Sequence, residues 1–132
     1  MRDITINIKG TSSVEVSENN LAVTMESGSL KVFATPAMVA LMEKASCSCL
    51  SDYLDNGETT VGTEMNIKHT SATPQGMTVT AEAVLKSVNG REFTFEVTAY
   101  DTHGEIGKGT HKRFLVYAEK FTEKTYKKLS AE

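Results

Sequence analysis

Glu43 is the first residue whose surroundings call for an explanation. Its helical neighbours three and four positions away are Val39, Ala40, Ser46 and Cys47, all small or apolar. A carboxylate stranded on such a face is costly unless something pairs with it. The plainer alternative is that Glu43 shares a narrow solvent-facing stripe with Lys44. His69 is the second candidate. It alternates with Val61, Thr63, Met65 and Ile67, which places it on one side of a strand and toward the interior. A core histidine satisfied by backbone would look the same. Taken together, however, each residue supplies the partner the other needs. An inward acid and an inward base in an apolar cleft are what hydrolysis by a general base or a nucleophilic carboxylate requires. Thr35 is the third candidate, and its side chain also suits a helix cap. Eight residues of continuous helix would hold it roughly 12 Å from Glu43 along the axis. A direct hydrogen bond between the two then requires a fold-back of the chain. Otherwise they act on different parts of a substrate, or a partner subunit completes the site.

These residues need elements to carry them. Residues 36–50, PAMVALMEKASCSCL, predict a helix that is apolar nearly all round and therefore buried. Pro36 suits its first helical position, and Thr35 just before it is placed to cap it. Residues 3–9 alternate Ile4, Ile6 and Ile8 with polar residues and predict a short strand. Leu21–Met25 reads as a further strand, and 26–29 as a turn. Beyond Asn56-Gly57 the period changes to two. Strands are expected over 59–69, then 77–88 with Met77, Val79, Ala81, Ala83 and Leu85 inward. Next come 92–101 with Phe93, Phe95, Val97 and Ala99 inward, and 106–118 with Phe114, Val116 and Ala118 inward. Turns are expected at 73–76, at Asn89-Gly90 and at His103-Gly104. The charged tail 119–132 reads as a frayed helix. One buried helix and antiparallel strands joined by tight turns give an α+β hotdog fold, an antiparallel sheet wrapped around a long central helix. Exposed strand edges favour pairing with a second copy.

The 132 residues suit a single domain over 1–132. A net charge of -3 offers no basic footprint for nucleic acid. No apolar run reaches the ~20 residues of a membrane span, and MRDITINIKG is no signal peptide. A cytoplasmic protein is the expectation. Cys47 and Cys49 are too close for an unstrained disulfide and too few for a zinc site, and read as small buried hydrophobes. The Gly-rich stretch 103–109 lacks the strand–loop–helix setting of a phosphate loop.

The runs Ala34-Thr35, Leu41-Met42-Glu43 to Ala45, Val61-Gly62-Thr63 and His69-Thr70-Ser71-Ala72-Thr73-Pro74 resemble the fluoroacetyl-CoA thioesterase family. So do Glu105-Ile106-Gly107, Gly109-Thr110-His111 and Glu119-Lys120-Phe121. The resemblance covers about residues 33–121, and its most specific part is the spacing of Thr35, Glu43 and His69. It implies hotdog homodimers or tetramers that hydrolyse short acyl-CoA thioesters, with no metal or redox cofactor and coenzyme A as part of the substrate. Thr35, Glu43 and His69 would be the catalytic set. A backbone N–H near Gly62 would polarise the thioester carbonyl, and Arg113 would be a basic group near the substrate. Fluoroacetyl-specific members carry a lid of phenylalanines ahead of the threonine. Here Glu26 and Ser29 stand near those positions, so the aromatic gate is missing. A non-catalytic acyl-CoA binding module on the same fold is the alternative function. Enoyl-thioester hydration is a third, although its usual Asp–His motif is not found.

Overall fold

The computed structural model describes residues 1–130. Five strands form one antiparallel sheet: β1 (Lys9–Glu15), β2 (Glu58–His69), β3 (Thr78–Asn89), β4 (Glu92–Asp101) and β5 (Gly104–Tyr117). Their spatial order is β1-β3-β4-β5-β2, so β1 and β2 are the two edges. Helix α1 (Thr35–Leu50) lies across one face, and α2 (Ala118–Tyr126) follows β5. This is the expected hotdog arrangement.

The strands β3 and β4 form as their alternation demands. Val79, Ala81, Ala83 and Leu85 face α1 with Phe93, Phe95, Val97 and Ala99, all fully buried. Small residues opposite one another, such as Ala81 and Ala99, leave room for the helix to sit close. The two strands are joined by the two-residue turn Gly90-Arg91. From α1, Met38, Leu41, Met42 and Ala45 complete the core. The helix approaches β1 so closely at Gly10 that any side chain there would collide with the backbone of Ala45 and Cys49. Ser12 then donates to the Leu41 carbonyl at 2.7 Å, tying β1 to the helix.

Several expectations are corrected. The first strand begins at Lys9 rather than near residue 3. Asn7 adopts a left-handed φ of 70°, which ends extended backbone there, and Ile6 is 56% exposed. Leu21–Met25 is not a strand. Leu21 makes one bridge, to Phe33, and the chain then turns through residues 22–26. Thr35 is not the cap of α1. It is the first helical residue, and Ala34 occupies the cap position without a side-chain hydrogen bond. Cys49 is buried as expected, but Cys47 is exposed.

Two corrections concern the strands nearest the candidate site. A bulge between Gly62 and Glu64 shifts the register of β2 against β5. A bulge adds one residue and so reverses which parity faces in. Before it Thr60 and Gly62, not Val61 and Thr63, face the α1 side; after it Met65, Ile67 and His69 are half-buried. On β5 the inward residues are His111, Arg113 and Leu115, with Phe114 39% exposed and Ala118 already in α2. Val116 is buried as expected. The tail expected to be helical is so through Tyr126, with a further turn at Lys127–Leu129. Residues 131–132 lie outside the described residues.

Candidate active site

Two polar centres sit on the helix face of the sheet, one near each end of the first half of α1. The first is Thr35 with His69. The chain ahead of α1 is fixed by backbone bonds from Phe33 N–H to the Thr73 carbonyl and from Ala34 N–H to the Asn20 carbonyl, both 2.9 Å. The end of β2 is fixed in turn by Thr70 N–H donating to Ile106 at 2.8 Å. These anchors bring Thr35 Oγ1 within 2.8 Å of His69 Nδ1. His69 Nε2 is shielded from solvent and has no hydrogen-bond partner among the described residues. Burial pushes the His69 pKa below its ordinary value, which favours the neutral ring. A neutral imidazole can take the proton of a hydroxyl or of water. A cleft of about 240 Å³ lies against the pair, lined by Phe33, Thr35, His69, Thr70 and Ser71 among others.

The second centre is built around Glu43. Its side chain is 40% exposed, and Oε2 lies 3.1 Å from Arg113 Nη1. Arg113 is itself buried. Four hydrogen bonds hold its guanidinium: Nε to Thr60 Oγ1 at 2.9 Å, Nη2 to the Thr60 carbonyl at 3.0 Å, and Nη1 to Glu43 and to His111 Nε2, each at 3.1 Å. A guanidinium stays charged at any ordinary pH, so its burial demands such partners. Gly62 faces this cluster. A methyl group there would fall 2.6 Å from Glu43 Oε2, so the carboxylate occupies the space a side chain would need.

The acid–base pair expected from sequence is therefore divided. Glu43 does bind a cation, but the partner is Arg113, and His69 is paired with Thr35 instead. The reason is α1 itself. It runs unbroken from Thr35 to Leu50, so Thr35 and Glu43 stay eight residues apart, about 12 Å along the axis. Gly62 and Arg113, expected near a substrate, are brought together with Glu43. Thr60 and His111 were not singled out as site residues. Their signal is parity: His111 and Arg113 are two apart on one strand, and the apolar Phe114, next after Arg113 and of opposite parity, draws the inward assignment to itself.

The comparisons with known proteins agree with this fold. The model for the fluoroacetyl-CoA-specific thioesterase family matches residues 16–119. A fluoroacetyl-CoA thioesterase of Streptantibioticus cattleyicolor is 46% identical over 101 residues, 76% of this chain and 73% of that protein. Among solved structures, the fluoroacetyl-CoA thioesterase FlK superposes with a TM-score of 0.90 at 36% identity, covering 96% of this chain and 98% of its own. A point variant of that protein has been solved with acetyl-CoA. A thioesterase superfamily member from Thermus thermophilus has a TM-score of 0.88 at 26% identity, with 98% of this chain and 95% of that one covered. The chain belongs to the fluoroacetyl-CoA-specific thioesterase family.

Proposed function

We propose that this chain, as a single hotdog domain, hydrolyses a short acyl-CoA thioester to coenzyme A and the free acid. The observation that carries this is Glu43, a partly exposed carboxylate pinned by a buried guanidinium opposite a glycine. A carboxylate so held is positioned to attack the thioester carbonyl or to take a proton from an attacking water. The bulge at Gly62–Glu64 frees backbone from the ladder beside it. One of its N–H groups is our candidate to polarise the carbonyl oxygen. His69 handles the proton or positions the water, and Thr35 orients the acyl group. The reaction needs water and the acyl-CoA, with no metal or redox cofactor. The loop 22–32 ahead of Phe33 carries no aromatic residue. It therefore supplies no aromatic cover over the acyl pocket, and the substrate range extends beyond the fluorinated acyl group.

A homodimer would join the two centres. β2 is an edge strand, and antiparallel pairing of β2 with its copy is the simplest way to cover that edge. A two-fold axis between Met65 and Asn66 would set Gly62 of one copy opposite His69 of the other. Glu43 would then share a cleft with Thr35 and His69 of the second subunit.

Free-thiol release from acetyl-, propionyl- and fluoroacetyl-CoA is the direct test. Hydrolysis of at least one, lost by about 10²–10⁴-fold in a folded Glu43→Ala variant, is expected. Calorimetric binding of these esters with no thiol release would instead establish a binding module. Mixing Glu43→Ala with His69→Ala chains tests the shared site: mixed dimers regain up to half the native turnover if the site spans two subunits, and none if it does not.

A further inference from the structure

We propose that His111 is a positioning residue for the Glu43 chemistry, acting as a neutral hydrogen-bond acceptor that fixes Arg113 and, through it, the carboxylate. This rests on the reading of Glu43 given above. His111 is 1% exposed and stacks on Phe95 of β4 with ring centroids 6.2 Å apart. Its Nδ1 lies 2.7 Å from the Glu64 carbonyl, at the bulge of β2. A carbonyl oxygen only accepts, so the ring proton sits on Nδ1 and Nε2 presents a bare lone pair. That lone pair meets Arg113 Nη1 at 3.1 Å.

Nη1 carries two N–H groups. One goes to His111 and the other to Glu43, so the direction of the first sets the direction of the second. Nε and Nη2 are held by Thr60, which fixes the guanidinium plane but leaves the outer edge to His111. The bulge, the tautomer and the carboxylate thus form one chain of contacts. Protonated His111 would turn a donor toward Arg113 and place two cations in contact. The groups facing the ring are Arg113 on its own strand, Glu43 on α1 with Oε2 4.0 Å away, the Glu64 carbonyl on β2 and the neutral Phe95 on β4. Burial and Arg113 favour the neutral ring, the Glu64 carbonyl and Glu43 the charged one, and the balance is a lowered pKa.

His111→Phe keeps the packing and removes the acceptor, while His111→Gln keeps an uncharged acceptor near the Nε2 position. Turnover of an acyl-CoA that the native enzyme cleaves is measured across pH, with KM and a thermal melt for each variant. His111→Phe is expected to lose about ten- to hundredfold in kcat with KM little changed. His111→Gln is expected to regain most of it at neutral pH and to lose the His111 ionisation from the acid side, so that its acid limb falls with a shallower slope. Native kcat in His111→Phe, or an acid limb in His111→Gln as steep as the native one, overturns the proposal. If His111→Phe fails to fold, the slope for His111→Gln decides alone. Undiminished turnover in Glu43→Ala would instead remove the reading on which the proposal rests, and the two failures are therefore separable.

Discussion

The Thr35–His69 pair rests on one hydrogen bond at the rim of α1, whereas Glu43 is tied through Arg113 to Thr60 and His111 on two strands. Thr35 is exposed and His69 half-buried with a nitrogen that has no partner among the described residues, while Arg113 and His111 are both buried. The difference separates two duties that a hydrolytic site must combine. A fixed charge has to hold its place while a bond forms beside it, and a network from several elements does that. A proton carrier needs a free lone pair and room for water, which a single hydrogen bond at a cleft leaves available. One helix carries both because its N-terminal turn reaches the end of β2 and its third turn reaches the bulge.

The sharpest way to break this comparison is to crowd the fixed centre. Gly62→Ala puts a methyl group 2.6 Å from Glu43 Oε2, and the flexible end of the side chain must move rather than the backbone. Displacing the carboxylate by about 1 Å should cut kcat on the order of 10²-fold while the melting temperature changes little. Unchanged kcat would show that the carboxylate's place is not used. The looser centre should respond more mildly. Thr35→Ala removes a hydrogen bond worth about 0.5–1.5 kcal/mol, up to about a tenfold effect, and Thr35→Ser should restore it. Because Thr35 does not cap α1, Thr35→Ala should lose no more stability than that one hydrogen bond, about 0.5–1.5 kcal/mol. A larger loss of stability would return Thr35 to a structural role.

The smallest effect sharpens the picture through pH. Burial lowers the His69 pKa in the folded chain, so the unfolded chain takes up this proton first as pH falls. Stability drawn from the neutral ring is therefore complete above about pH 6.5 and declines below it, down through the folded value. Activity that needs neutral His69 should hold down to the same region and fall only beneath the usual histidine midpoint. Melts and pH–rate profiles of native and His69→Asn proteins check both. An acid limb centred above the ordinary histidine value would contradict the lowered pKa.

How far the fold could be read follows from how each element is stabilised. The strands at β3 and β4 were legible because each buries one regular face, which writes a period into the chain, and the helix over 36–50 because it is a long, nearly uncharged run opened by Pro36. The segment before residue 34 was not. Asn7 and Glu26 take left-handed φ values of 70° and 57°; Asn tolerates that region without demanding it, and Glu gives no warning of it at all. β2 and β5 were placed correctly along the chain but wrongly by face around the bulge, at Val61 and Thr63 on β2 and at Phe114 on β5. A one-residue bulge reverses parity without altering composition, and Phe114 is more apolar than the His111 and Arg113 that displaced it.

What the sequence determined by itself was a buried helix carrying one acid, a set of alternating strands, and Thr35, Glu43 and His69 as the residues to watch. Local periodicity and residue chemistry suffice for that, because each is a property of a short stretch. Partner choice was decided only in three dimensions. Whether Glu43 meets His69 or Arg113 depends on the rise of an unbroken helix and on one extra residue in an edge strand. Arg113 becomes a buried anchor only because Thr60, His111 and Glu43 converge on it from two strands and a helix, and no local pattern encodes such a convergence.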